Sequence, residues 1–402
     1  MALFLPGLNA NLIPRANWDY GISDFGKSLF GIFNDGSDLE SLFERLYNHR
    51  PLFTTSGRAS LFAILKALTL PPGSQIGVPL YCCSVVFDTI MKAGFRPRFI
   101  DIRAEDYNLS VHDLERKKDA LSAIIVVHMF GTSADMDAIA SVAGGTIPVI
   151  EDCAHSLFSM YKGKYTGTLS TASFFSFRSG KYISSGEGSA ILTETPELYN
   201  EVKKHIEAYQ SWNLREELTH AFTTLIKSKF YQKPYYGLIG LPVGMILDRR
   251  LNLTAKSGME LKKISKGDSA IIFDRITDFH SKIKRQAENS SYLRERFSLK
   301  NCILPVERDS YQSNHYQFPV RFKNIEDRDK AGSYFLRHGI DCAKYLDEIV
   351  DYTRSVYGYG GDCPKAELCS KTTLLIPHYY SLDSETLDHV KKRLVEIDHL
   401  LE

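Results

Sequence analysis

What this 402-residue chain lacks narrows it quickly. Its seven cysteines, at 82, 83, 153, 302, 342, 363 and 369, form no Cys-x2-Cys pair, and no matching histidine spacing follows. A zinc or other metal site is therefore not expected. A disulfide framework is equally unexpected at this size, and reduced thiols point to the cytoplasm. Charge surplus is missing too: 49 basic residues against 48 acidic ones leave a net charge of +1. That balance argues against a nucleic-acid partner or a polyacidic substrate. No apolar run reaches the ~20 residues that cross a bilayer. The nearest, Gly237-Leu-Ile-Gly-Leu-Pro-Val-Gly-Met-Ile-Leu247, is broken by glycine and proline, and core packing is its expected use. The start, Met1-Ala-Leu-Phe-Leu-Pro-Gly7, lacks the basic and apolar stretches of a signal peptide. Repeats and low-complexity tracts are absent as well.

What remains is an ordinary folded composition, 44% hydrophobic and 24% charged, in a chain long enough for two domains. The expected units are residues 1–250 and 251–402. From about 52 to 195, short β-branched or aromatic runs alternate with helical stretches. The strand-like pieces are Gln75–Tyr81, Arg96–Ile102, Ala123–Met129, Pro148–Asp152, Ala172–Phe177 and Ala190–Thr193. Between them, Arg58–Leu68, Val85–Ala93 and Ala134–Val142 carry apolar residues three and four apart. This alternation predicts an α/β fold with a mostly parallel sheet between helices. Residues 203–260 break the rhythm and read as helices and loop. Beyond them the pattern predicts one long helix over Asp268–Phe297, a strand over Gln317–Phe322 and a helix over Arg328–His338. The strand-turn-helix that closes the chain has Asp383 capping Ser384–Leu400. Fewer strands and more helix make this second unit a smaller α+β domain.

Two residues carry the strongest chemical signal. Lys181 sits in Ser173-Phe-Phe-Ser-Phe-Arg-Ser-Gly-Lys-Tyr-Ile-Ser-Ser-Gly-Glu-Gly188, after an apolar run and before a glycine-flanked turn. Asp152 ends the run Ile147-Pro-Val-Ile-Glu-Asp152, twenty-nine residues earlier. In parallel sheets ligands bind beyond the carboxyl ends of strands, where both residues fall. A lysine with a pKa near 10.4 cannot attack an aldehyde, but burial and a nearby cation such as Arg178 lower that value. A strand-end carboxylate can pair with a pyridine nitrogen, and together they suit pyridoxal phosphate (PLP). His155 lies close enough in sequence to reach the phenolic oxygen. Ser56-Gly57-Arg58 opens a helix whose free N–H groups suit a phosphate, with Ser176 as a further donor. Taken singly, each has a plainer reading: a solvated turn lysine, a capping aspartate, a structural histidine, an ordinary capped helix. Gly186-Glu-Gly188 lacks the spacing of a nucleotide fingerprint.

In order along the chain, these pieces resemble the sugar aminotransferase family named for DegT, DnrJ, EryC1 and StrS. The markers are Ser56-Gly57, Val78-Pro-Leu-Tyr81, Gly94-Phe-Arg-Pro-Arg-Phe-Ile-Asp-Ile102, His128-Met-Phe-Gly131 with Asp135-Met-Asp137, Val149-Ile-Glu-Asp-Cys-Ala154, and Phe175-Ser-Phe-Arg-Ser-Gly-Lys181. Gly186-Glu-Gly188, Cys363-Pro-Lys-Ala-Glu367 and Ile376-Pro-His378 complete the set. The resemblance implies PLP fold-type I, with a mostly parallel seven-stranded sheet in the large domain, and a homodimer. It makes Lys181 the Schiff-base and proton-shuttling lysine and Asp152 the partner of the ring nitrogen. His155 replaces a more usual glutamine, and Ser176 and Gly57 hold phosphate; Ser56 and Arg58 are further candidate cofactor residues at that helix start, Arg58 as an added cation. Arg178, Glu187, Tyr345 and His378 are the candidate substrate residues. A dehydrating branch of the family has histidine in place of this lysine, so lysine here favours transamination.

The chain departs from the family pattern in four places. Arg58 stands where a small hydroxylic residue is usual. Cys83 stands where an aromatic ring often stacks on the cofactor, so stacking falls to Tyr81 or is absent. Leu261 and Lys263 replace an asparagine and an arginine that often reach the neighbour's phosphate, and the linker 205–255 is divergent. The expected function is transfer of an amino group from glutamate to a nucleotide-linked keto sugar, for polysaccharide or glycosylated-metabolite synthesis. The alternatives are a silent relative kept for binding or regulation, or an aminotransferase acting on a cyclitol ketone or lipid-linked sugar.

Overall fold

The computed structural model describes residues 8–34, 37–245, 258–295, 299–308 and 310–401. The strands are β1 (Leu52–Thr54), β2 (Gln75–Pro79), β3 (Arg96–Ile100), β4 (Leu121–Val127), β5 (Val149–Asp152), β6 (Met160–Tyr161), β7 (Lys164–Tyr165), β8 (Ala172–Phe174), β9 (Ser189–Thr193), β10 (Cys302–Ile303), β11 (Tyr311–Gln312), β12 (Phe318–Phe322), β13 (Ala343–Lys344) and β14 (Thr373–Ile376). Helices up to the linker are α1 (Ile22–Ile32), α2 (Ser37–Tyr47), α3 (Gly57–Ala67), α4 (Ser84–Lys92), α5 (Val111–Lys117), α6 (Met136–Ala143), α7 (Pro196–Glu207) and α8 (Leu214–Lys229).

Seven strands make the main sheet in the order β1-β9-β8-β5-β4-β2-β3. β2, β3, β4, β5 and β8 run parallel, while β9 is antiparallel to both β8 and β1. β4, Leu121-Ser-Ala-Ile-Ile-Val-Val127, is buried at every position but Ser122. A strand covered on both faces has to read as such an apolar run. Each fully buried Ile, Leu or Val contributes roughly 1.5–3 kcal/mol, so the centre of the sheet is the most strongly held part of the unit. The expected α/β class and strand alternation are present, with boundaries shifted by up to three residues.

A four-stranded sheet, β10-β12-β14-β13, forms the second core with helices Ile325–Arg337 and Ser384–Leu400. The Asp383 carboxylate accepts the Thr386 N–H at 2.7 Å, which caps the final helix as expected. The single helix expected over Asp268–Phe297 is instead two, α9 (Lys266–Thr277) and α10 (Phe279–Arg294). The chain turns at Asp278, and Phe279 is buried between Phe158 and Tyr182 at centroid distances of 4.8 and 4.9 Å. Aromatic packing, which has no signature in local periodicity, breaks the helix there. Phe297 and the expected domain boundary at 250/251 lie outside the described residues. The core-packing expectation for residues 237–247 holds for part of the segment: Leu241 is buried with Leu12 and Tyr236, and Met245 packs against them, whereas Leu238, Ile239 and Val243 are exposed and residues 246–247 lie outside the described residues. Among the described residues no helix is long and apolar enough to cross a membrane.

Candidate active site

The segment after β8 narrows into a hairpin that presents Lys181. Phe175 N–H donates to Ala190 O, Phe177 N–H to Gly188 O and Ser179 N–H to Gly186 O, each at 2.9 Å. Lys181 N–H then closes a turn on Arg178 O at 2.9 Å. Gly186 has φ +124°, and a Cβ there would stand 3.0 Å from Thr224 Oγ1 and 3.1 Å from Asp268 Oδ1. Only glycine relieves both constraints. The hairpin therefore cannot slide, and its lysine is aimed at a cavity of about 240 Å³.

Ten of the residues singled out from sequence line that cavity: Ser56, Gly57, Arg58, Asp152, His155, Ser176, Arg178, Lys181, Glu187 and Tyr345. Asp152 arrives at the carboxyl end of β5, and Ser56 and Gly57 at the start of α3. The Ser56 hydroxyl accepts the Ala59 N–H at 3.3 Å, capping the helix. A Cβ on Gly57 would stand 3.4 Å from the Phe174 ring, at ordinary van der Waals distance.

Burial dominates the electrostatics. It pushes the Lys181 ammonium below the usual lysine range, helped by Arg178 and opposed by Asp152 and Cys83. Burial also pushes the Asp152 carboxyl up, opposed by the Ala154 N–H and by Lys181 and His128. The same desolvation raises Glu187, against the pull of Arg178. Glu187 Oε2 is buried without a hydrogen-bond partner among the described residues. His155 Nδ1 accepts the Phe130 N–H at 3.3 Å, so Nε2 carries the proton, with the Tyr345 hydroxyl 3.4 Å away. Burial, and then Lys181, hold this imidazole well below its ordinary value, hence neutral.

These features fit PLP. A desolvated carboxyl raised by burial gains most from a cationic ring nitrogen. A depressed lysine is closer to its amine form, and the helix start offers backbone N–H groups to a phosphate. His155 would present an N–H donor toward the ring.

Two expected site residues lie elsewhere. Tyr81 is fully buried and packs on Tyr107, Phe130 and Tyr345, outside the cavity lining, so it cannot stack on a cofactor. Past β2 the chain tucks this ring into the core instead of projecting it forward. His378 does not line this cavity but is buried in an adjoining hollow that Lys181 and Tyr316 also line, with Nε2 at 3.0 Å from Gln286 Nε2 and 2.8 Å from His315 O. Sequence reasoning missed Tyr316, whose ring lies 5.7 Å from Lys181 Nζ and whose hydroxyl donates to Gly180 O at 2.7 Å. Tyr316 lies between β11 and β12, far along the chain, and reaches the lysine only through the tertiary fold. Of the replaced pair, Leu261 packs against the main core and Lys263 is tied by its backbone to Gln210.

His128, Glu151 and Cys153 form a buried group with metal-ligand chemistry. However, His128 Nδ1 accepts the Ala134 N–H at 3.1 Å, and Glu151 accepts from His128 Nε2, Gly167 N, Leu169 N and Ser170 Oγ at 2.8–2.9 Å. Its lone pairs are committed to holding loops.

A profile of the DegT/DnrJ/EryC1/StrS aminotransferase family matches residues 37–395. The chain is 37% identical over 157 residues to GDP-perosamine synthase of Escherichia coli O157:H7, covering 38% of this chain and 43% of that one. Over 396 residues it is 23% identical to the lipopolysaccharide biosynthesis protein RfbH of Salmonella typhimurium, covering 91% and 85%. It also superposes on the crystal structure of the aminotransferase TlmJ from Streptoalloteichus hindustanus with a TM-score of 0.78. That match has 18% identity and covers 97% of this chain and 100% of the other.

Proposed function

We propose, from the premise that this chain belongs to the DegT/DnrJ/EryC1/StrS aminotransferase family, that it moves an amino group from glutamate to a nucleotide-linked keto sugar with PLP as cofactor. The observation that carries this reading is one cavity holding Lys181, Asp152 and the start of α3 together. Residues 1–250 would form the cofactor unit and 251–402 the smaller one, in a cytoplasmic homodimer. Bound PLP supplies an electron sink for the carbon that loses its proton. Asp152 holds the ring nitrogen protonated, and its burial strengthens that pairing. Neutral His155 would offer its Nε2–H to the phenolic oxygen. The helix start at Ser56 and Gly57, with Ser176 and Arg58, holds the phosphate. Lys181 Nζ, pushed toward its amine form by burial, would hold the cofactor's aldehyde group and carry the proton of the donor's α-carbon. Arg178, Glu187 and Tyr345 border the space left for substrate.

Purified protein with PLP should show a visible absorption band that glutamate bleaches and that Lys181→Ala lacks. Normal bleaching by that variant would remove the proposed role.

A further inference from the structure

An amphipathic helix on a folded protein ordinarily turns its apolar stripe inward. Helix α8 does the reverse. Its buried face carries Glu217, Ala221, Thr224 and Ser228. Glu217 accepts from the Ser265 hydroxyl at 2.6 Å and the Lys266 N–H at 2.9 Å, and the Ser228 hydroxyl donates to Tyr20 O at 2.8 Å. Rotating the helix to hide its apolar stripe would leave these buried groups unpaired, so its register is held. Leu218, Phe222, Ile226 and Phe230, at four-residue steps, are consequently 40%, 54%, 42% and 37% exposed. Beyond the helix, Leu238 and Ile239 are exposed as well.

Charge identifies the partner. From Leu218 to Leu247 the sequence has no aspartate or glutamate and three lysines, 227, 229 and 233, in a chain whose total charge nearly cancels. Lys227 and Lys233 are exposed. The acid that feels Lys233 is Asp383, held at the start of the last helix by Thr386. We propose that this face lies on an anionic phospholipid bilayer, with its apolar side chains in the interface and its lysines among the headgroups. At 16 residues α8 is too short to span a membrane and would lie in its plane. A second copy of the chain suits the face less. A two-fold contact through this face would bring three lysines from each copy into one interface, with no carboxylate in segment 218–247 of either to meet them.

The experiment is co-sedimentation of the full-length protein with phosphatidylcholine vesicles, with and without phosphatidylglycerol. The protein should pellet with the anionic vesicles, remain in solution with the neutral ones, and be released by salt. Phe222→Ser with Ile226→Ser should weaken vesicle binding roughly tenfold or more. Lys227→Gln with Lys233→Gln should do so by roughly fivefold for each lysine. Glutamate bleaching is expected to be unchanged in both variants, so this proposal and the aminotransferase reading stand or fall separately. Failure of the unaltered protein to pellet overturns the proposal, as does binding that either variant leaves intact. A change of mass in solution for the serine variant, without vesicle binding by the parent, would assign the face to a second copy and also overturn it.

Discussion

At the end of β5 two carboxylates stand side by side in sequence and face opposite sides of the sheet. Behind the sheet, Glu151 is fully buried and accepts four hydrogen bonds, from a histidine, two backbone N–H groups and a serine. In front, Asp152 accepts one, from Ala154 N, and looks across a cavity toward a lysine. The histidines repeat the contrast. His128 and His155 both accept a backbone N–H at Nδ1, so both carry the proton on Nε2. His128 spends that proton on Glu151, while His155 keeps its own beside the cavity, with only a long contact to Tyr345 among the described residues. Residue type does not separate the structural pair from the candidate functional pair. Unspent hydrogen-bonding capacity does.

If the comparison is right, the two carboxyls fail differently when altered. Asp152→Asn keeps the Ala154 contact and removes a charge that burial opposes. Its glutamate half-reaction should slow by roughly 10²–10³-fold, in line with loss of one preorganised charge partner. Its melting temperature without cofactor should hold or rise, and a fall in melting temperature with intact kinetics would reverse the two roles. Glu151→Gln turns an acceptor into a donor facing buried donors, and should cost about 3 kcal/mol or more of folding stability. Denaturant titration measures this, and activity per folded molecule should persist.

The smallest effect is at His155. His155→Phe should slow the half-reaction roughly tenfold, as loss of one neutral hydrogen-bond donor would, and His155→Gln should restore most of the rate. Because burial depresses this imidazole, it is neutral in the folded chain where an ordinary histidine would titrate. Its contribution to rate should therefore stay flat between about pH 6 and 8. Its contribution to stability goes the other way. The unfolded histidine takes up a proton as pH falls through its ordinary value and the folded one does not, so folding weakens on acidification. A rate profile that tracks His155 protonation in that window would mean the ring is not desolvated.

Much of this was readable in the chain. The strand runs, the Lys181 hairpin and Asp152 are local features, because buried parallel strands must be apolar throughout and a tight turn must have glycine. The Asp383 cap was equally local. Tyr81 misled because family position put it near a cofactor while the surrounding aromatic rings drew it into the core. Tyr316 was silent because it comes from a distant strand edge. The break at Asp278 could not be seen because Phe279 is placed by Phe158 and Tyr182, residues far away in sequence.

By itself the sequence determined the α/β class, the order of the elements and the lysine–aspartate pair, since periodicity, turn chemistry and capping act over a few residues. Only the tertiary structure decided which histidine and which carboxyl keep unspent hydrogen-bonding capacity, and which face of α8 meets solvent. Those outcomes depend on desolvation and on partners brought together from far along the chain, and no local pattern encodes either.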